Sequence, residues 1–447
     1  MGTVLSRSHH IPAADPALRR LRIALTGFFA VDGFLFAGWV VRIPAIKDQV
    51  GASAGQLGLA LLGVSAGAVA TMALTGRMCR IFGSERVTVV TGAMLAVSIA
   101  LPPRTHSALA LGLVLLCFGI SYGGLNVAMN SVAVDLVAAL RRPVMSSFHA
   151  AYSLGGLLGS GIGGLLAPHL SPATHLLLLT PIGLVAVTMA GRTLLAHPLR
   201  RPGGEPITTG QAEHADRADR AERAEAGKPA EPAAPAGQDV RTDRAAPEAR
   251  TAPSPAPARN RAPGTGLLVA VFGLIAACTA YGEGALAEWG PLHIQQDLHG
   301  GPGIAAAGYS AVTLAMTLGR LSGTALLERL GQTRALVLGG LTACTGMLVG
   351  ALAPYLPLVM VGFALTGLGL ANLFPTAIAR AGELTGPSGV AAASTLGYGG
   401  LLLGPPSIGF LTDAFGLPTA LTTVAVLAAM AAVIAYAVRN SGARPTG

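Results

Sequence analysis

Residues 119–164 read GISYGGLNVAMNSVAVDLVAALRRPVMSSFHAAYSLGGLLGSGIGG, and this stretch decides the fold. It predicts two apolar helices joined by the short basic turn Arg141-Arg142-Pro143. Tyr122, Asn126 and Asn130 recur at four-residue steps and therefore share one face of the first helix. His149, Tyr152 and Ser153, at i, i+3 and i+4, share a face of the second. Gly155, Gly159 and Gly163 repeat every fourth position, as do Gly156, Ser160 and Gly164. Small residues at that spacing let membrane helices approach closely. Polar stripes and glycine seams on helices of lipid length predict a packed bundle with a wet or binding interior.

Composition agrees with that reading. Of 447 residues, 52% are hydrophobic and only 11% charged, and the mean hydropathy is +0.59. So few charges in a chain of this length indicate a multi-pass membrane protein. The net charge of +9 does not point to nucleic acid, because the basic residues sit at the ends of apolar runs, where they set topology. Cys79, Cys117, Cys278 and Cys344 show no paired spacing, so neither a disulfide framework nor a metal site is expected. The first apolar run is not followed by an Ala-x-Ala cleavage site and is expected to stay as a membrane helix.

Six apolar runs, over about 21–43, 57–79, 86–102, 107–138, 146–168 and 173–195, precede a change of composition. From about 200 to 263 the chain is rich in Ala, Pro, Arg, Glu and Asp. Residues 192–261 hold 10 of the 21 acids and 12 of the 30 bases. Such a tract cannot bury enough apolar surface to fold alone. Six more runs follow, over about 266–290, 304–326, 334–352, 356–380, 390–412 and 418–438. The expected organisation is an all-α membrane protein of twelve transmembrane helices in two pseudo-symmetric six-helix bundles. Its parts are a tail (1–20), a first bundle (21–195), a disordered linker (196–265), a second bundle (266–439) and a second tail (440–447). With the N-terminus inside, fifteen basic residues, Arg320 among them, fall at inner ends or tails, against Arg42, Lys47 and Arg104 outside. That asymmetry predicts cytoplasmic termini and a cytoplasmic linker.

The halves repeat one another. Gly83 and Arg86 match Gly331 and Arg334 at an offset of 248, and Gly123 and Asn126 match Gly369 and Asn372 at 246. Gly155-Gly156-Leu157-Leu158 matches Gly399-Gly400-Leu401-Leu402 at 244. A duplicated six-helix unit with a site between the copies is the architecture of alternating-access carriers.

The turn Gly76-Arg-Met-Cys-Arg80-Ile-Phe-Gly83-Ser-Glu-Arg86 resembles the loop motif of the major facilitator superfamily. It differs in Arg80, where an aspartate is usual, and in Ser84 and Glu85, where arginines are. A second copy, Glu328-Arg329-Leu330-Gly331-Gln332-Thr333-Arg334, keeps the acid-base-x-Gly core. The resemblance implies the superfamily's fold and a latch on the inward side. Asn126-x-x-x-Asn130, Phe148-His149-x-x-Tyr152-Ser153-Leu154-Gly155-Gly156, Gly369-x-x-Asn372-x-x-Pro375 and Gly397-Tyr398-Gly399-Gly400 resemble the fucose-permease-like branch. That implies a sugar-like solute and proton symport. The branch's proton-binding carboxylates do not carry over: Asn126 stands in place of the fourth-helix glutamate, and the first-helix aspartate falls near Val40.

Proton carriers are therefore sought elsewhere. Asp32 lies ten residues from both Arg22 and Arg42, near the bilayer midplane. A charge there costs about 2.5–3.5 kcal/mol on insertion scales, a cost that a proton removes. Glu283 falls within one residue of the Asp32 position when Trp39 is matched to Trp289, and is the second coupling candidate. Tyr122, Asn126, Asn130, His149, Tyr152, Asn372, Trp39 and Tyr398 are the substrate-cavity candidates. No GxxxxGK[ST] loop, HExxH, paired CxxC or nucleophile elbow occurs, so neither an ATP-driven pump nor an enzyme is expected, and no cofactor or metal. The expected function is secondary active transport of a small organic solute by alternating access, proton-coupled, by a monomer in the cell membrane. Proton-driven efflux of a drug or metabolite is one alternative. A receptor or scaffold acting through the linker is another.

Overall fold

The computed structural model describes residues 16–140, 144–198, 265–385 and 387–439. The Arg141-Arg142-Pro143 turn, residues 1–15, the expected linker apart from its edges, and the 440–447 tail lie outside the described residues. The first half comprises α1 (Pro16–Val40), α2 (Ile43–Val50), α3 (Ala54–Phe82), α4 (Ser84–Ser98), α5 (Ala108–Leu140), α6 (Met145–Leu166) and α7 (Pro172–Ala196). The second comprises α8 (Thr265–Glu288), α9 (Gly290–Gln296), α10 (Pro302–Leu330), α11 (Gln332–Leu352), α12 (Leu356–Leu370), α13 (Leu373–Thr385), α14 (Pro387–Phe415) and α15 (Leu417–Ala437). Counting α12 and α13 as one broken span, and α2 and α9 as short connecting helices, each half crosses six times. Among the described residues, ten spans are long and apolar enough to cross a membrane by length and composition alone. The other two are α6 and α14, 22 and 29 residues long, in which glycine, serine and proline dilute the apolar character.

The expected span over 356–380 is broken at Ala371-Asn372. Pro375 has no N–H to give the carbonyl of Ala371, four residues back, so the helical ladder opens there.

Packing sets the true register of the two halves. Gly83 and Gly331 adopt φ of +89° and +75° where α3 turns into α4 and α10 into α11, a conformation that needs glycine. Their offset of 248 recurs in packing: Gly119 lies against the carbonyl of Val64, and Gly367 against that of Val312. At this register Asn126 is the counterpart of Phe374, not of Asn372, so the sequence match at 246 is displaced by two residues. Similarly, Gly155 packs on the carbonyl of Ala30 and Gly400 on that of Ala277, one residue off the match at 244. Ala30 and Ala277 differ by 247, as do Pro44 and Pro291, which open α2 and α9. Asp32 then corresponds to Thr279, and Glu283 to Phe36. Glycines repeating every one to four residues match themselves at several shifts, and only contact chooses among them.

We call the end where α3 and α10 begin the far end, and the end where α1 begins the tail end. The halves meet along two seams near the far end. In one, Gly58 of α3 faces Pro405 of α14 so closely that a Cβ would sit 2.5 Å from the proline carbonyl oxygen. In the other, Gly164 of α6 faces Ala306 of α10, and Ser310 Oγ donates to Ser160 Oγ at 2.8 Å. Pro405 leaves the carbonyl of Leu401 without its helical donor, and Ser65 Oγ supplies one across the first seam at 3.3 Å. Beside the far end, Arg42 is buried: its Nε donates to His175 Nδ1 at 2.8 Å, and burial pushes its guanidinium below the ordinary pKa.

A Cβ on Gly155 would drive into the Ala30 carbonyl, whereas Gly161 has nothing within 4 Å. Gly155→Ala is expected to destabilise the purified protein by about 1–3 kcal/mol, read as a lowered melting temperature. Gly161→Ala should melt as the wild type does.

Candidate functional site: a polar cluster between the halves

The cluster begins on α1, whose residues interlock with α5 and α6. Gly33 packs under the carbonyl of Tyr152, and Phe29 stacks on Phe148 at 5.5 Å and meets the ring of His149 edge-on at 5.4 Å. Phe36 stacks on Tyr122 at 5.0 Å. Between these contacts lies Asp32, 0% exposed, with neither carboxylate oxygen hydrogen-bonded. The hydroxyls of Tyr122 and Tyr152 are 3.0 Å apart. Both phenols are within electrostatic reach of Asp32 and of Tyr309 on α10, in the other half. Tyr398 of α14 is also within reach of Tyr122.

The second half contributes an ion pair. Arg320 of α10 donates through Nη2 to both carboxylate oxygens of Glu283 on α8, at 3.2 and 3.3 Å. Its Nε points to the carbonyl of Ala371 at 3.4 Å, the group that Pro375 leaves free. Asn372 Nδ2 donates to the carbonyl of Gly319, tying the broken span to the same turn of α10. Arg320 and Glu283 side chains are 37% and 30% exposed, so the pair is wet on one side. On the first half, His149 is exposed and within electrostatic reach of Arg320. Glu288, a turn beyond Glu283, is buried with Oε2 unpartnered, and reaches Tyr309 electrostatically, as do Glu283 and Arg320.

The candidates from sequence therefore separate. Asp32, Tyr122, Tyr152, His149, Glu283 and Tyr398 belong to one cluster. Trp39 is 1% exposed and packs on Phe118 in the core. Asn130 Nδ2 donates to the Asn126 carbonyl at 2.8 Å, on the face that Tyr122 shares, and Asn372 joins two helices. The loop residues Gly76, Arg80, Gly83, Arg86, Glu328, Arg329, Gly331 and Arg334 lie at the tail-end turns, away from the cluster. Among the described residues no group of three or more His, Cys, Asp or Glu is placed to hold a metal.

Arg320 corrects the topology count. It does not mark an inner end; it pairs with Glu283, leaving fourteen basic residues against three. With Tyr309 it is what sequence reasoning missed. The signal was present: Tyr309 and Arg320 are eleven residues apart, three helical turns, and so share one face of α10.

The family model described as Major Facilitator Superfamily matches residues 23–246 and 272–446. The chain belongs to the major facilitator superfamily. It is 28% identical over 438 residues to an uncharacterised major-facilitator-type transporter of Yersinia pestis, covering 97% of this chain and 100% of that one. It is 27% identical over 424 residues to the membrane protein MosC of Rhizobium meliloti, with 93% and 90% covered. Among solved structures, a bacterial homologue of the human lysosomal transporter Spinster aligns with a TM-score of 0.67 at 12% identity, covering 96% and 98%. A D-xylose–proton symporter aligns at 0.65 and 13%, covering 93% and 97%. These two likenesses show the fold alone; it is family membership that makes the chain a multi-pass membrane transporter.

Pro375→Ala would supply the N–H that the Ala371 carbonyl lacks and compete with Arg320 for it. The expected outcome is a melting temperature at or above that of the wild type together with impaired solute uptake, because the guanidinium loses its second anchor. Parallel thermal melts and vesicle uptake assays check it.

Proposed function

We propose that this chain is a proton-coupled secondary transporter of a small polar, sugar-like solute, working by alternating access in the cell membrane with its tail end cytoplasmic. The observation that carries the reading is one cluster with two kinds of carboxyl. Asp32 is buried without a hydrogen-bond partner, while Glu283 is partly exposed and held by Arg320. A carrier needs a charge that can be neutralised before the site changes sides, and a midplane carboxyl meets that need. Glu283 and Arg320 supply an acceptor and a donor for cargo, and Tyr122, Tyr152, Tyr309 and Tyr398 bring hydroxyls and rings. That lining favours a hydroxylated solute over an apolar drug, and the branch resemblance leans the same way. The excess of basic residues at the tail end supports cytoplasmic termini. On that orientation the far end, where the halves touch, faces outward.

A thermal-stabilisation screen of sugars, polyols and nucleosides on the purified protein identifies the ligand, and vesicles with an imposed pH gradient test its transport. Asp32→Asn is expected to lower proton-driven accumulation about tenfold or more while leaving the melting temperature near the wild-type value. Wild-type pH dependence in that variant would remove Asp32 from the mechanism. Deleting residues 205–260 separates transport from scaffolding: a carrier keeps uptake, and a receptor acting through that tract loses its output.

A further inference from the structure

The carboxylate of Asp413, near the C-terminal end of α14, sits on the N-terminus of α3 in the other half. Its Oδ1 accepts from Ala54 N at 3.0 Å, and its Oδ2 from Gly55 N at 2.8 Å and from Ser53 Oγ at 3.0 Å. The first two helical N–H groups of α3 have no partner within their own helix. The third, Gln56 N, is satisfied by Ser53 Oγ, and the Gln56 side chain returns to Ser53 N, completing a capping box. Asp413 thus caps a helix of the opposite bundle with charge and three hydrogen bonds, at the pole where the helix dipole favours an anion. The fit is close: a Cβ on Gly55 would lie 2.5 Å from Oδ2, and one on Gly409 2.5 Å from the Ala54 carbonyl.

The companion seam has nothing like it. α6 and α10 meet there through Gly164, Ala306 and the Ser160–Ser310 hydrogen bond, and the first residues of α10, Gly301-Pro302-Gly303, have no side-chain cap. One seam is therefore held by a charge-assisted cap and its pseudo-symmetric partner by small-residue packing. Opening the far end must pull Asp413 off α3 and return two backbone donors to water.

We propose that Asp413 is a gating residue: its capping of α3 from the other half holds the far end closed and sets the ratio of the two access states. This gate presupposes the alternating-access reading above. The residue touches no solute. It works by biasing an equilibrium, and a side chain that stabilises one state alone shifts the populations by its own differential energy.

The test is a distance distribution between spin labels on His169→Cys and Tyr355→Cys, exposed far-end positions in the first and second halves, with the native cysteines replaced. The closed separation should dominate in the parent protein. Asp413→Ala is expected to raise the share of a longer separation, changing the closed-to-open ratio by roughly three- to thirtyfold. Asp413→Asn should move it the same way by less, and Gly55→Ala, which crowds Oδ2, should also move it. Asp48→Asn, an exposed acid on α2, should not. An unshifted distribution in monodisperse Asp413→Ala overturns the proposal; if that variant does not stay monodisperse, the same measurement on Asp413→Asn decides, and an unshifted distribution there overturns it equally. A shifted distribution in a protein that moves no solute would overturn the transport reading and leave Asp413 as a lock between two conformations. An unshifted one in a transporting protein would overturn the gate alone.

Discussion

A chain that crosses lipid must satisfy its backbone hydrogen bonds within itself, since an unpaired carbonyl or N–H has no water to turn to. Prolines inside the spans break that rule locally, and the structure is arranged around the repairs. Pro375 frees the carbonyl of Ala371, and Arg320 takes it. Pro405 frees the carbonyl of Leu401, and Ser65 takes it from the other half. The first repair seats a guanidinium beside Glu283. The second joins the halves at the seam that closes the far end. Breaks in the helical ladder have become the fixing points of site and gate.

Glycine does the complementary work. Where Gly155 meets Ala30, Gly33 meets Tyr152 and Gly400 meets Ala277, backbones touch with no side chain between them. Within lipid there is no hydrophobic gain from bringing helices together, so close packing and hydrogen bonds must supply the attraction. Close approach also has a functional result. It draws α1 so near to α6 that Asp32 ends beside the Tyr122–Tyr152 pair, shut off from water and from hydrogen bonds.

The cluster is asymmetric although the bundle is nearly symmetric. In the register set by packing, Asp32 has Thr279 as its counterpart and Glu283 has Phe36. The two carboxyls are not copies of one ancestral position. One is dry and alone; the other is wet and paired with Arg320. A duplicated scaffold has thus come to hold two unlike acidic groups, one in each half.

Spacing and composition alone determined the twelve-helix, two-bundle architecture, because lipid-length apolar runs, glycine seams and a repeated turn are local patterns that survive without coordinates. Gly83 and Gly331 were legible for a further reason: a left-handed turn requires glycine wherever it occurs. Asp32 was legible by depth. The hairpin of residues 119–164 was expected to form one wall of a cavity, and its Tyr122, His149 and Tyr152 lie in the polar cluster. What only tertiary structure decided was partnership. Trp39 and Asn372 looked like cavity residues and turned out to be core and joint. Arg320 looked like a topology marker, because ten residues of helix to its end say nothing about where a long side chain bends. Asp413 lies just past the apolar run over 390–412, and nothing local announces that a helix some 360 positions earlier in the chain begins beneath it. Burial and periodicity belong to a segment, and a contact belongs to two.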